Sequence, residues 1–448
     1  MTGLRAAGFP AEAVRARALA GAAEAFPPLA AYGREVFGAQ PPAREATADL
    51  LDAARLVPPV FMPRRLEKLI DLGREPLYSD VDLTARVGGF AAALPVFLSA
   101  FGSTRLGSSE LAVAASRQAG ALGIPMVIGE NVVPVNGYRG RSATTGLLDR
   151  VRAYVEATTD HIGGVVVQQS TEDADAEVWN LVHSDPAVEP LLATGRLGFE
   201  LKVGQGAKPG LGGMTVLDGA AAGRVSEQYA LDNVWHAEEA GVLRSSSPGT
   251  FTEEILRQQI RLMRNNFPRV KVWVKLHPGR DVAAAAEVAW AAGADAVTVD
   301  GAEGGSGWAP RAFLDHVGLP LGECLRRIGR PAGCLLATGR MWEGVRTVKA
   351  LALGATAVGL GRAALVAADT DPREGLRRLV AVLALEARML ISALGKYTVD
   401  ALDADDLWLP GGTVPIAEPA AVAGSSPAHS TVRLGPSRRP PPDQGGQP

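Results

Sequence analysis

From Leu94 onward, short apolar runs alternate with longer stretches of helical pattern. Eight runs stand out: Pro95-Val-Phe-Leu-Ser-Ala, Pro125-Met-Val-Ile-Gly, Gly164-Val-Val-Val-Gln, Gly198-Phe-Glu-Leu-Lys, Val272-Trp-Val-Lys-Leu, Ala296-Val-Thr-Val-Asp, Cys334-Leu-Leu-Ala-Thr and Ala357-Val-Gly-Leu-Gly. Most are bounded by Gly or Pro, as buried strands are. The segments between them, such as Val282-Ala-Ala-Ala-Ala-Glu-Val-Ala-Trp-Ala-Ala, are rich in strong helix formers. Strand and helix in regular alternation predict an α/β protein whose parallel sheet closes into a (β/α)8 TIM barrel. An open doubly wound sheet is the competing architecture, but no G-x-G-x-x-G opens the first strand–helix turn.

The flanks read differently. Residues 1–85 are largely Ala-rich and helical in pattern, broken at Pro27-Pro28, Pro41-Pro42 and Pro58-Pro59, which predicts an N-terminal helical region. The barrel domain is expected over 86–409, and it includes an amphipathic helix from about Arg373 to Leu390. Residues 410–448 collapse to Pro, Gly, Ser and Ala, and a disordered tail is expected there. Inside the barrel the connection between the fourth and fifth strands is long, from Gly204 to Arg269. It contains a helical stretch from Glu253, preceded by a segment with Tyr229, His236 and Arg244 that suits a cover over a site.

Composition narrows the class. Of 448 residues, 47% are hydrophobic and 21% charged, an ordinary globular balance. A net charge of -3 gives no electrostatic footprint for nucleic acid. No apolar run reaches the ~20 residues that span a bilayer, and the opening residues lack a secretory core. Two cysteines, Cys324 and Cys334, can form neither a disulfide framework nor a four-thiolate cluster. The expectation is a soluble cytoplasmic enzyme acting on a small molecule, with no nucleic-acid or membrane partner; a homo-oligomer or partner subunits remain open.

In a barrel of this type the chemistry sits at the carboxyl ends of the strands. Those ends carry Ser99, Glu130, Gln168, Lys202, Lys275 with His277, Asp300 to Gly307, Gly339-Arg340 and Gly361-Arg362. The fourth opens into Lys202-Val-Gly-Gln-Gly-Ala-Lys-Pro-Gly-Leu-Gly-Gly, whose glycines let backbone approach a ligand closely. Glycine turns after the seventh and eighth strands, each followed by a helix, are suited to grip a phosphate. Lys275 lies inside an apolar strand, where a cation is costly unless it is paired. His277 is the best placed of the six histidines for proton transfer. A phosphate at one side, a lysine across the barrel and no dinucleotide fingerprint point to a mononucleotide cofactor such as FMN.

Several motifs then fall in the order of a known family. Gln205-Gly-Ala-Lys-Pro-Gly-Leu-Gly-Gly resembles the Q-G-A-K-P-G-x-G-G signature of the FMN-binding synthase domain of glutamate synthases. Val274-Lys-Leu, Gly301-Ala-Glu-Gly-Gly-Ser-Gly-Trp-Ala-Pro and Val345-Arg-Thr-Val-Lys-Ala-Leu-Ala-Leu-Gly-Ala resemble further motifs of that domain. The resemblance implies a TIM barrel with FMN held by Ser99, Gln168, Lys275, Gly304, Gly305, Gly339, Arg340, Gly361 and Arg362. It places Lys202, Gln205, Lys208 and, from the cover, Arg244 toward the substrate. Lys275, Lys202, His277 and Glu130 are the candidate catalytic residues. The departures are also informative. Ala363-Ala-Leu-Val-Ala-Ala-Asp, where the family's iron–sulfur cysteines would follow, contains none. Gly129-Glu-Asn-Val keeps the Glu of a G-E-G-G loop but not its glycines, and Leu211 replaces a frequent Glu. The implied activity is an FMN-dependent oxidoreductase of an amino acid, imine or related small carboxylated nitrogen compound, without an iron–sulfur cluster. The alternative is an FMN-dependent non-redox isomerase or group-transfer enzyme, N-methylglutamate synthase-like, working with partner subunits.

Overall fold

The computed structural model describes residues 4, 8–25, 49–101, 110–130, 146–159, 161–171, 176–204, 206, 215–217, 223, 231–232, 242–244, 251–304, 313 and 316–410. The tail expected over 410–448 lies, beyond Pro410, outside them. So do Gln205, Lys208 and Gly305, and of Arg244 only the backbone is described.

Val96–Phe101 (β1), Met126–Ile128 (β2), Val165–Ser170 (β3), Leu197–Lys202 (β4), Lys271–Leu276 (β5), Ala296–Asp300 (β6), Leu335–Thr338 (β7) and Ala357–Leu360 (β8) pair in parallel, in chain order, and β8 returns to β1 to close the barrel. Each strand coincides with one of the apolar runs, and helices follow between them. Along each strand successive side chains point to opposite faces. In β4, Leu197, Phe199 and Leu201 join the apolar layer under the helices, whereas Glu200 reaches Gln168 and Thr298 inside the barrel. Phe199 is fully buried, stacked on Trp179 at 5.6 Å and edge-on to Phe267 at 4.9 Å. Burying a side chain of this size contributes about 1.5–3 kcal/mol.

The amino end of the barrel is plugged. An antiparallel hairpin, Ala85–Val87 with Phe90–Ala92, turns at Gly88 and Gly89 and places Phe90 against the starts of β3 and β4. Trp273 of β5 donates its indole N–H to the Gly88 carbonyl at 2.9 Å. Gly88 has φ +57, and an added Cβ would lie 2.2 Å from the Trp273 ring, so glycine is required there twice over. Phe90 and Phe97 lie 5.7 and 6.1 Å from Trp273, ring centre to ring centre.

The described N-terminal elements pack on the barrel's last helices. Ala11–Ala20 lies against Arg362–Thr370 and Gly375–Ala393, where Arg17 forms a two-pronged ion pair with Glu386. Leu50–Ala53 packs against Leu321–Ile328 and Gly344–Ala352, and Arg55–Leu56 pairs antiparallel with Leu407–Trp408. Within the β4–β5 connection, helix Glu253–Asn266 starts at Thr252, whose hydroxyl accepts from the Ile255 N–H at 3.2 Å. Ahead of it a small antiparallel sheet forms from Thr215–Leu217, Val242–Arg244 and Leu231–Asp232, with Val242–Arg244 in the centre. Strands of two or three residues carry no readable alternation, which is why this sheet has no signature in the sequence.

Candidate functional site

The carboxyl ends of the strands carry a dense set of buried charges. Lys275, near the end of β5, lies 3.1 Å from Asp300, the last residue of β6, and both are buried. Burial works against the Lys275 ammonium, but Asp300 and then Glu200 together hold its pKa above the usual lysine value. Asp300 also accepts from the Thr338 hydroxyl of β7 and from the Gly206 N–H at 3.2 Å. One carboxylate thus ties β5, β6, β7 and the glycine-rich loop together. Lys202, ending β4, is ion-paired with Glu130, just beyond β2, again with both side chains buried. Burial pushes the Glu130 carboxyl up, and Lys202 outweighs it, so Glu130 titrates below its usual range. The two lysines are backbone neighbours in register across β4 and β5.

Opposite them lie the glycine turns. Gly339 has φ +144 and Arg340 φ +53, an unusual left-handed conformation for a side-chain-bearing residue. Gly361 caps the helix Arg362–Thr370 and opens onto free space. Burial, followed by the charge of Arg340, lowers the Arg362 pKa, so two guanidinium groups stand close enough to repel. Arg362 donates to the Glu303 carbonyl and lies 4.8 Å over the Phe9 ring; Arg340 reaches Asp52 at 3.0 Å, yet its Nε is buried with no partner. Paired cations, an unpartnered buried N–H, an open glycine and a helix N-terminus fit a phosphate group. On these observations the site suits a phosphate-bearing cofactor such as FMN.

Below the turns, Arg346 of helix Gly344–Ala352 is almost wholly buried and holds three carboxylates: Asp49 at 2.5 Å, Asp52 at 2.7 Å and Glu303 at 2.5 Å. It also donates to the Gly339 carbonyl at 3.1 Å, which fixes the turn. Desolvation first, and Asp49 second, raise the Glu303 carboxyl to about 7. His277, directly after β5, is partly buried, with a buried Nδ1 that has no partner; burial lowers its pKa against the pull of Asp281. Ser99 and Gln168 are buried on β1 and β3. Gly304 lies in the turn after β6, its N–H bonded to the Gly301 carbonyl at 2.8 Å.

Among the described candidates, then, every residue taken from a strand end stands at that end of the barrel. The sequence reading missed Glu200, Arg346, Asp49 and the pairing role of Asp300. Glu200 carried the same signal as Lys275, a charge inside an apolar strand. Arg346 falls inside the motif at 345–355, but Asp49 lies 297 positions away and nothing local pointed to their pairing.

Residues 163–371 match the conserved region in glutamate synthase. Over that stretch the chain is similar to the synthase domain of glutamate synthases. An archaeal-type glutamate synthase (NADPH) of Dehalococcoides mccartyi is 30% identical over 258 residues, 49% of this chain and 50% of that protein. A glutamate synthase large subunit-like protein of Rhizobium meliloti is 35% identical over 189 residues, 39% of this chain and 40% of that protein. The match to these glutamate synthase relatives therefore spans half of their length or less. Among solved structures, a chimera of (S)-mandelate dehydrogenase superposes with a TM-score of 0.52 at 18% identity, covering 89% of this chain and 99% of that one, a likeness of fold alone. Among the described residues, no helix is long and apolar enough to cross a membrane, and no three His, Cys, Asp or Glu side chains are grouped to hold a metal.

Proposed function

We propose that this chain is an FMN-dependent oxidoreductase of the glutamate synthase-like family. Its substrate is an amino acid, imine or related small carboxylated nitrogen compound, and the chain works without an iron–sulfur cluster. The observation that carries the reading is the opposition, across one barrel mouth, of the buried Lys275–Asp300 pair and the two crowded arginines, Arg340 and Arg362. Gly339, Gly361, Arg340 and Arg362 hold the phosphate, and Lys275 meets the ring system. Gln168, Ser99 and Gly304 would line its bed; Gly305, given the same role by the family resemblance, lies outside the described residues. When bound, FMN supplies two-electron chemistry that no side chain here offers.

The chain's own groups do the rest. Lys202, Gln205, Lys208 and Arg244 bind the substrate carboxylate. Glu130 holds the Lys202 ammonium in place through their buried ion pair. His277, its pKa lowered by burial, is neutral near pH 7 and takes or returns a proton at its free Nδ1. Partner subunits that deliver or accept electrons are compatible with the longer relatives. The absence of cluster cysteines from the stretch after β8 favours oxygen, a second substrate or internal redox balance for reoxidation.

The test is a visible spectrum of the purified protein and identification of the chromophore released on denaturation. Flavin bands with released FMN are expected. Lys275→Met is expected to lower substrate-dependent flavin turnover by roughly 10²–10³-fold, the usual cost of removing one preorganised charge-stabilising group. A colourless protein that takes up no FMN would overturn the reading.

A further inference from the structure

Beneath the mouth of the barrel lies a carboxyl group that the proposed chemistry does not use. Glu200 precedes Lys202 by two residues on β4, on the same inward face and one layer deeper. It is 1% exposed. One oxygen accepts from the Thr298 hydroxyl of β6 at 2.9 Å, and the other from the Gln168 amide of β3. Both partners are neutral. Among the described residues, the charged groups that face it are Lys275 of β5, which favours its ionised form, and Asp300 of β6, which opposes it. Lys202 on its own strand is already held by Glu130, β3 presents Gln168, and the layer below is the Trp273 indole.

Charge counting gives this group a meaning. At the mouth, Lys202 is offset by Glu130, and Lys275 by Asp300. An ionised Glu200 leaves the cluster with one net negative charge, unsuited to an anionic ligand. A protonated Glu200 leaves it neutral, with Lys275 less fully compensated.

We infer that Glu200 is a positioning residue for the site: it holds the Gln168 amide and, by gaining or losing one proton, sets how much of the Lys275 charge is presented to the bound ring system. The inference rests on the proposed FMN site for its ligand, but the titration of Glu200 does not. Burial, with some help from Asp300, raises the group's pKa against Lys275 and its two hydrogen bonds, which is the direction such a role needs. The proton comes from solvent and returns to it, and no bond of the ligand changes.

Two measurements test it. The first is FMN affinity of the full-length protein as a function of pH. Wild type is expected to lose up to tenfold in affinity per pH unit through one transition above the ordinary carboxyl range. Glu200→Gln, which keeps the shape and can still accept from the Gln168 amide while its own NH2 donates to the Thr298 hydroxyl, is expected to bind FMN without that transition. The second is the infrared carboxyl band of the same protein without FMN. The expected result is a protonated-carboxyl band above the ordinary range in the wild type minus Glu200→Gln difference spectrum, where the raised Glu303 carboxyl, common to both proteins, cancels. If Glu200→Gln does not fold, Thr298→Val serves: losing a donor to the carboxylate, it is expected to move the transition to higher pH. An identical transition in the variants, or a Glu200 band that titrates in the ordinary range, overturns the inference while leaving FMN binding intact. No FMN binding by wild type overturns the function proposed above, and the infrared titration still decides the role of Glu200.

Discussion

At the amino ends of the strands the barrel is filled by Trp273, Phe90 and Phe97; at the carboxyl ends it is filled by Lys275, Asp300, Glu200 and Lys202. Trp273 and Lys275 are two residues apart on one face of one strand. The lower end meets the rule for a stable core, with aromatic rings in contact and a single indole N–H satisfied by the Gly88 carbonyl. The upper end breaks that rule. Buried ion pairs often stabilise a fold no better than hydrophobic residues of the same volume, because desolvating both charges offsets their attraction. A chain that keeps at least two such pairs over one well-packed apolar plug is placing stability at one end and ligand chemistry at the other.

The contrast can be broken by changing one residue at each end. The largest expected effect is at the plug. Trp273→Ala leaves a cavity beneath the hairpin and should cost about 3–5 kcal/mol in a denaturant titration. FMN affinity of the fraction that stays folded should fall less than in Lys275→Met. The reverse ranking would mean that the two ends are not separable.

A smaller effect is expected at the rim. The Glu303 carboxyl, buried beside Asp49, is raised to about 7 from about 4.5. The folded state therefore holds its proton more tightly than the unfolded state. The resulting stabilisation is complete below about pH 4.5 and is lost as pH rises through about 7. Melting temperature followed across that window should show this decline in wild type and a shallower one in Glu303→Gln. Equal slopes in both would place the titration elsewhere. The smallest effect belongs to the outer layer, remote from both ends. Thr252→Ala removes the N-cap of helix Glu253–Asn266 and should cost about 0.5–2 kcal/mol with no change in FMN affinity. A changed affinity there would show that the β4–β5 connection is coupled to the site.

How far each feature could be read ahead of the structure depends on how local its cause is. All eight barrel strands were legible as apolar runs, because a strand covered on both faces cannot hide its composition. Helices Val282–Ala291 and Gly375–Ala393 were legible for the same reason. The hairpin plug was not, since Gly88-Gly89 between short mixed segments has little pattern, and its fit depends on an indole about 185 residues away. Lys275 was legible through the cost of a charge in an apolar strand. The same argument reaches Glu200 once it is applied evenly to both signs of charge.

The sequence by itself determined the strand-and-helix alternation, the barrel it closes into, and which residues stand at the strand ends, because each follows from near-neighbour periodicity and from one general rule about where parallel barrels carry their sites. Only the tertiary structure decided the partners: Lys202 with Glu130, Lys275 with Asp300, Glu200 with Gln168 and Thr298, and Arg346 with Asp49, Asp52 and Glu303. An ion pair or a buried hydrogen bond is fixed by distances of about 3 Å between atoms that the chain separates by tens to hundreds of residues. No local pattern encodes that distance; barrel closure, with its strand stagger, sets it.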